Sequence, residues 1–261
     1  MPSAISSQPN STLSVVVERL NPIVDGITKA FQLIFSGDPT VYGIAYRSLF
    51  FSGTAAVLAI LWGTPIAMLL SLKDFPGKSL VKGFFTSLIG MPTVALGLIL
   101  FLLFSKDGPL GFLQLLYTPG GVILGEAILV TPLIISIAVN AIESVDHEIM
   151  NLAETLGASE SQAYIAVLKE AANGVIFSGL ACFNRAFAEL GVALIVGGSI
   201  VARVGGTDVL TTDISMYIAR GNFSMAIALA MILLVIVFGI NLIILIAKNP
   251  KAIITWGKMP Q

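Results

Sequence analysis

The sequence predicts an all-α, polytopic membrane protein with five core transmembrane helices and an amphipathic helix before them. Hydrophobic residues make up 56% of the 261 positions and charged residues only 11%, whereas a soluble domain usually carries about 25% charged residues. The mean hydropathy is +0.94. Five apolar runs, each long enough to cross a bilayer, are separated by short polar segments, which is typical of a multi-pass chain.

The composition also excludes several classes of function. A single cysteine, Cys182, leaves no intrachain disulfide and no cysteine metal cluster. A single histidine, His147, argues against a histidine-rich metal site and against a Ser/His/Asp triad. The formal net charge of −1 provides no basic surface for nucleic acid.

The N-terminal region, residues 1–40, has a mixed pattern. Met1 to Ser11 are polar and lack the basic n-region and apolar core of a cleavable signal peptide. Residues 12–36 carry an apolar stripe that charged and polar residues interrupt, whereas a span needs about 20 mostly apolar residues. We interpret residues 12–36 as an amphipathic helix on the membrane surface, with a true span as the alternative.

Residues 41–250 are predicted to form one transmembrane domain, and residues 251–261 a short tail. The five spans cover about residues 42–72, 80–104, 122–142, 173–198 and 223–247. Pro65 in the first span and Pro132 in the third predict kinks, and Gly90-Met91-Pro92 breaks the second span early. Residues 105–121 are predicted to be a re-entrant or surface segment, since Gly-Pro and Pro-Gly pairs bracket them.

The basic residues predict the orientation of the chain. Three lysines lie beside the first loop and three in the tail, and in a five-span chain both groups fall on one side: Lys73, Lys78, Lys82, Lys248, Lys251 and Lys258. We therefore expect a multi-pass protein of the cell membrane, with its C-terminus and the segment 143–171 in the cytoplasm and its N-terminus outside.

The segment 143–171, between the third and fourth spans, is the longest stretch of mixed polar and apolar pattern. Asp146 can cap a first short helix, and Gly157 can end that helix in the left-handed conformation. Ser159, with Gln162 three residues later, is the capping box of a second helix. Apolar residues at helical spacing give the first helix one apolar face: Ile149, Leu152, Ala153 and Leu156.

Three interpretations of this helix–turn–helix segment can be compared. A DNA reader needs a recognition helix with side chains for bases and phosphates, and the second helix offers Tyr164 and Lys169 but no arginine. The segment also lies between two spans, so nucleic acid is not expected as a partner. A plain cytoplasmic loop stays open as the alternative to a shaped protrusion that docks another protein.

Charged residues inside the predicted spans are the second candidate site. Arg185 and Glu189 are four residues apart on one helix face, and each costs roughly 2.5–3.5 kcal/mol on insertion scales. They form either a structural ion pair or a polar patch on a translocation path or gate, where Arg185 would lower the barrier for an anion. Glu126 in the third span is either a proton-linked acid or a hydrogen-bonding partner of a neighbouring helix.

Two further features bear on function. Residues 199–221 are polar and glycine-rich, and we expect a flexible outer loop whose hydroxyls, on Thr207, Thr211 and Thr212, suit an oxyanion or a docking protein, with a solvated loop as the alternative. No Gly-x-x-x-x-Gly-Lys-Ser/Thr occurs, so this chain is not expected to bind ATP through a P-loop. ATP-driven transport would then need a partner subunit.

Asn151-Leu-Ala-Glu-Thr-Leu-Gly157-Ala-Ser resembles the loop of ABC importer permeases whose pattern is Glu-Ala-Ala, three residues, Gly. Ala153 and Gly157 match the third and seventh positions, while Asn151 and Leu152 replace Glu and Ala. From about residue 22 to 247 the chain looks like the tungstate-type permeases, with the molybdate and sulfate permeases as nearest relatives. Six stretches carry this resemblance: Ser36-Gly-Asp-Pro39, Gly108-Pro-Leu-Gly111, Leu116-Tyr-Thr-Pro119, Arg185-Ala-Phe-Ala-Glu-Leu-Gly191, Val196-Gly-Gly-Ser-Ile200 and Val209-Leu-Thr-Thr212.

The resemblance implies a permease of the type I importer kind that moves a tetrahedral oxyanion inward by alternating access. Its implied partners are a second copy of this chain, two ATP-binding subunits, an extracytoplasmic substrate-binding protein and membrane lipid. ATP and Mg²⁺ would bind the partner subunit, with no cofactor or metal on this chain. The implied site residues are Ala153, Glu154, Gly157, Ala158 and Ser159 for ATPase coupling, and Arg185, Glu189, Thr211 and Thr212 for the translocation pathway or gate.

Two rival functions stay open as alternatives. A stand-alone secondary transporter or channel would use Glu126, Arg185 and Glu189 with an ion gradient, and such folds often show internal repeats, none of which is convincing here. An intramembrane hydrolase would need a histidine inside a span to activate a serine, and no span contains one. The chain is thus expected to be a transport subunit, not an enzyme.

Overall fold

The computed structural model describes residues 24–198 and 206–248, and these are almost entirely helical, with no strand among them. The expectations for residues 12–23, for the loop residues 199–205 and for the tail 251–261 fall outside the described residues. In chain order the helices are α1 (24–35), α2 (Pro39–Leu72), α3 (Lys78–Leu88), α4 (Thr93–Phe104), α5 (Pro119–Glu143), α6 (His147–Thr155), α7 (Glu160–Glu170), α8 (Ala172–Phe187), α9 (Gly191–Gly197), α10 (Leu210–Ala219) and α11 (Phe223–Lys248).

Three of these helices, α2, α5 and α11, are long and apolar enough to cross a membrane, and counting two bent pairs as single spans gives five. The 34 residues of α2 reach about 51 Å, well beyond the roughly 30 Å of a hydrocarbon core. Asp38 caps α2 by accepting hydrogen bonds from the amides of Thr40 (2.8 Å) and Val41 (3.2 Å). Both Pro65 and Pro132 lie inside continuous helices.

The second predicted span is broken where Gly90-Met91-Pro92 predicts a break. The break is a sharp bend, since α3 and α4 meet at 99° around residues 89–92. The physical reason is Pro92, which lacks an amide hydrogen and disfavours the helical conformation at Met91 before it. Because α4 has only 12 residues, its length of about 18 Å is shorter than a hydrocarbon core.

The fourth predicted span is also divided. Here α8 ends at Phe187, and the short helix α9 begins at Gly191 after a three-residue break. At its other end α8 follows α7 at 66°, so the polar segment joins the membrane helix through a bend. The break between α8 and α9 contains Glu189, which sequence periodicity had placed within a continuous helix.

The helix α1 packs one side against the bundle and exposes aromatic side chains on the other. Ala30 is fully buried, and Leu33 packs into a cluster with residues of α2, α10 and α11. On the outward face, Phe31 and Phe35 stack with ring centroids 6.1 Å apart and stay exposed. The location of this helix at the membrane surface stays a prediction.

The largest core cluster lies where α2, α5 and α8 pack together, and it extends to α7. Small residues allow this close packing. A Cβ atom on Gly63 of α2 would collide with Cγ2 of Ile134 on α5, and a Cβ on Gly174 of α8 would collide with Cβ of Ala141 on α5. Gly43, on the same helix as Gly63, has open space around the position of a Cβ.

We expect Gly63→Ala to destabilise the protein by about 1–3 kcal/mol, because overpacking a close helix contact forces side chains or backbone to shift. Gly43→Ala is the matched control and should leave stability unchanged. Thermal unfolding of the detergent-solubilised chain measures both. Ile134→Ala, which removes the colliding methyl group, should partly restore the Gly63→Ala variant; additive losses in the double variant would contradict this account of the α2–α5 contact.

Candidate functional site

The segment 146–170, called the coupling segment below, folds as two capped helices around a glycine turn, as the sequence predicts. Asp146 Oδ1 accepts a hydrogen bond from the Glu148 amide at 3.0 Å, and the Ser159 amide donates to Gln162 Oε1 at 2.8 Å. Gly157 has φ +86°. The amide of Gly157 bonds the Glu154 carbonyl and that of Ala158 bonds the Ala153 carbonyl, which is the Schellman pattern of a helix end.

The base of the coupling segment is fixed to the bundle. Ala163 and Val167 of α7 are buried, and Ile149 and Met150 of α6 pack against the main core cluster. An ion pair between Lys73 and Glu160, with an N–O distance of 3.7 Å, joins α7 to the loop after α2.

A second ion pair lies just before the coupling segment. Lys82 of α3 pairs with Glu143, the last residue of α5. The two ion pairs connect the start and the middle of residues 143–171 to the polypeptide between α2 and α3.

The tip of the coupling segment exposes apolar side chains. Leu156 is 79% exposed and Leu152 is 62% exposed. Ile149, the first residue of the predicted apolar face, packs on the core, whereas Leu152 and Leu156 of the same face stay exposed. Large apolar groups exposed at the end of a polar protrusion are typical of a docking surface.

The five residues predicted to couple to an ATPase lie together at this tip. Glu154, Gly157 and Ser159 are exposed, and Ala153 and Ala158 are half-buried. The structure brings all five to the turn between α6 and α7, beside Leu156. The sequence does not predict that Leu152 and Leu156 are exposed, because their exposure depends on how α6 packs against the bundle.

Hydrogen bonding organises the charges at the start of α7. The Tyr164 hydroxyl donates to Glu160 Oε1 at 2.5 Å, and this bond, followed by the charge of Lys73, lowers the pKa of Glu160. The same bond raises the pKa of Tyr164 to about 12. At neutral pH the carboxylate is thus charged and the phenol neutral, so the donor and acceptor roles in the Lys73–Glu160–Tyr164 group are defined.

The second candidate site lies at the break between α8 and α9. Arg185 Nη1 donates to Glu189 Oε2 at 2.7 Å, so the predicted pair forms, although Glu189 lies beyond the end of α8. Glu189 Oε1 accepts from the amides of Gly191 (2.7 Å) and Val192 (3.4 Å), which begin α9. One carboxylate thus pairs a cation and caps a helix.

Arg185 and Glu189 differ in the solvent exposure of their side chains. The Arg185 side chain is 39% exposed and the Glu189 side chain only 2%. The guanidinium therefore borders accessible space, while the carboxylate is held inside. This geometry can present a positive charge to an anion and keep that charge balanced from behind.

The threonines predicted for a flexible outer loop are instead engaged in structure. Thr211 and Thr212 belong to α10, where Thr211 Oγ1 donates to the Glu189 carbonyl at 2.5 Å and Thr212 Oγ1 accepts from the Val209 amide at 3.0 Å. Thr207 is buried and donates to the Gly197 carbonyl. The loop prediction was wrong for residues 210–219, because these hydroxyls satisfy backbone groups that would otherwise be buried without partners.

Glu126 forms a hydrogen bond with a neighbouring helix, which is the second of the two alternatives that the sequence left open for it. It is buried on α5 and accepts a hydrogen bond from Ser52 of α2 at 3.3 Å. A second bond between the same two helices, from Trp62 Nε1 to Thr131 Oγ1 at 2.6 Å, was not foreseen. Among the described residues, no group of three or more histidine, cysteine or carboxylate side chains is placed to hold a metal ion.

Comparison with known proteins identifies relatives along most of the chain. Residues 59–249 match the family described as "Binding-protein-dependent transport system inner membrane component". The tungstate uptake system permease protein TupB of Peptoclostridium acidaminophilum is 37% identical over 85% of this chain and 96% of its own length. That of Campylobacter jejuni is 35% identical over 86% and 92%. A probable anion ABC transporter permease protein of Haloferax volcanii is 37% identical over 74% and 84%.

We expect Glu189→Ala to destabilise the protein by about 3–5 kcal/mol, because it removes the partner of Arg185 and the cap of α9 at once. Glu189→Gln keeps an amide oxygen that can cap α9 and should lose less. Thermal unfolding in detergent compares the two variants with wild type. Equal losses in both variants would contradict the capping role, and no loss in either would contradict the whole account of Glu189.

Proposed function

The chain belongs to the family of binding-protein-dependent transport system inner membrane components, and from this premise we propose that it is the permease subunit of an ABC importer for a tetrahedral oxyanion. Tungstate is the first candidate cargo and molybdate the next, with sulfate as the third. Relatives named as tungstate uptake permeases, at 35–37% identity, support the cargo class. A molybdate/tungstate permease of Thermococcus kodakarensis, 31% identical over 61% of this chain, supports it further.

The observation that carries the proposal is the tip of the coupling segment. It places exposed Leu152 and Leu156 beside a glycine turn, at the end of a protrusion fixed to two membrane helices. Such a surface suits insertion into a groove of a partner, with the leucines as the apolar anchors. In this proposal the partner is an ATP-binding subunit, and Ala153, Glu154, Gly157, Ala158 and Ser159 form the contact.

The proposed importer contains two copies of this chain, two ATP-binding subunits and an extracytoplasmic substrate-binding protein. The coupling segment and the C-terminus face the cytoplasm. ATP and Mg²⁺ bind the partner, and no catalytic step takes place on this chain. Closure of the ATP-binding subunits moves the coupling segments, and the Lys73–Glu160 and Lys82–Glu143 ion pairs pass this movement to α2, α3 and α5.

Inside the membrane, Arg185 supplies the charge that an oxyanion needs along its path. A dianion in a low-dielectric region is strongly disfavoured, and a fixed positive charge lowers that barrier. Glu189 balances Arg185, so the ion is attracted but not trapped. Thr211 and Thr212 support this path indirectly. Thr211 donates a hydrogen bond to the Glu189 carbonyl, and Thr212 caps the start of α10.

The proposal is tested by co-purification of the ATP-binding subunit with this chain from its native host. Leu156→Asp should abolish co-elution, because it puts a charge where an apolar anchor enters a groove. Asn151→Asp adds the same charge to an exposed position of the same helix and should keep the partner. Amounts of inserted chain and its thermal unfolding should be equal in all three samples.

Two results would count against the coupling assignment. Leu156→Asp could retain the ATP-binding subunit at the wild-type level, which would remove the coupling segment as the contact. Wild-type chain could elute alone, which would favour the stand-alone secondary transporter and make Glu126 the first residue to test.

Arg185→Ala should lower oxyanion uptake by roughly tenfold or more, which corresponds to the loss of one charge-assisted hydrogen bond. Co-elution with the ATP-binding subunit should be unchanged, because Arg185 lies far along the chain from the coupling tip. Uptake is measured as ATP-dependent tungstate accumulation in proteoliposomes. If uptake falls only in proportion to the amount of inserted protein, Arg185 is structural.

A further inference from the structure

Arg47 is a charged residue inside α2, one of the helices long and apolar enough to cross a membrane. It is the ninth residue of α2, about 12 Å from the start of that helix. That start lies at the face opposite to the coupling segment, since Lys73, just beyond the other end of α2, pairs with α7. Charged residues inside membrane-spanning helices are rare and usually pair with another group or face a water-lined cavity.

The described residues supply Arg47 with only one hydrogen bond. Its Nε donates to the carbonyl oxygen of Asp208 at 3.3 Å, and no carboxylate among the described residues lies within 4.0 Å of it. In contrast, Arg185 is paired with Glu189, and buried Glu126 has Ser52. With Nε occupied by a neutral carbonyl, the edge formed by Nη1 and Nη2 is the part of the guanidinium suited to a bidentate anion contact.

Arg47 lies at the boundary between the buried and the exposed side of α2. Ile44 and Ser48, on its flank toward the core, are buried, whereas Tyr46 and Phe50 are exposed. Arg47 is itself half-buried. The Arg47 side chain lies beside residues 206–208. Its Nε bonds the Asp208 carbonyl, and its Cδ would lie 4.0 Å from a Cβ atom built on Gly206, which has φ +76°.

The residues that Arg47 contacts are linked to Arg185 by a short series of hydrogen bonds. Asp208 accepts from Arg47, and two residues later the Leu210 amide donates to Ser48 Oγ at 2.6 Å. The next residue, Thr211, donates to the Glu189 carbonyl, and Glu189 holds Arg185. Residues 208–211 therefore connect the surroundings of the two cations through a few hydrogen bonds.

We propose that Arg47 is a second oxyanion-contacting residue, placed nearer than Arg185 to the membrane face opposite the coupling segment. It would be the first fixed positive charge that the tetrahedral oxyanion meets on its way to Arg185. This inference rests on the proposed oxyanion import. Two cations in series lower the barrier at two depths, and because neither site need bind strongly, release is possible.

The test is ATP-dependent tungstate uptake by the complete importer in proteoliposomes. Arg47→Ala should lower the uptake rate roughly tenfold or more, as expected for the loss of a charge-assisted hydrogen bond. The uptake rate of Arg47→Lys, which keeps the charge and loses the planar guanidinium, should lie between those of wild type and Arg47→Ala. Arg220→Ala removes an exposed arginine at the same face and should match wild type. ATP-binding subunit co-elution should be equal throughout.

A second measurement separates the transported ion from a phospholipid phosphate, which shares its tetrahedral oxyanion chemistry. Thermal unfolding is followed in a phosphate-free detergent with added tungstate or with a short-chain phospholipid. Protection of wild type by tungstate that is weaker in Arg47→Ala supports the proposal. The proposal is overturned if only phospholipid protects wild type from thermal unfolding, if this protection is lost in Arg47→Ala, and if Arg47→Ala takes up tungstate at the wild-type rate.

The failure of this inference can be distinguished from failure of the proposed function. If wild type shows no ATP-dependent tungstate uptake, the proposed function itself fails. If wild type transports and Arg47→Ala transports at the same rate per inserted molecule, only the role of Arg47 is overturned. An equal loss in Arg220→Ala would also overturn it, because any positive charge at that face would then serve.

Discussion

A helix that breaks inside a membrane must find new partners for its freed backbone groups, and in this protein the Glu189 side chain meets that requirement. Its carboxylate accepts from the two amides that begin α9 and from Arg185, while its own carbonyl accepts from Thr211. The ends of α8, α9 and α10 are therefore held at one buried group. Because unsatisfied backbone groups in hydrocarbon cost several kcal/mol each, the break, the charge of Arg185 and the position of α10 depend on it.

The coupling segment at the opposite end of the bundle obeys a different constraint. Its helix ends are closed by local groups, namely Asp146, Gln162 and the glycine turn. Its base packs on the core and its tip exposes two leucines. A rigid base with an apolar tip is the arrangement that a force-transmitting contact requires, because a flexible loop would absorb the movement of a partner.

Local chemistry made some of these features predictable from the sequence and left others out of reach. Capping residues and a left-handed glycine act within a few positions, so α6, α7 and their turn were predicted correctly, as were the first, third and fifth spans, which correspond to α2, α5 and α11. The 99° bend was foreseen as a break at Pro92, but not as an angle. The end of α8 was missed because it is decided by Glu189 bonding to residues two and three positions later and to α10. The exposure of Leu156 and the contact between Arg47 and Asp208, 161 positions apart, depend on tertiary packing.

The central claim is that partner ATP hydrolysis, acting through the coupling segment, drives an oxyanion past the charges inside the bundle. The most direct measurement is tungstate accumulation in sealed proteoliposomes that contain this chain with its co-purified ATP-binding subunit and binding protein. We expect accumulation that requires ATP on the side of the coupling segment and that persists when a proton ionophore is added. Accumulation without ATP that disappears with the ionophore would contradict it.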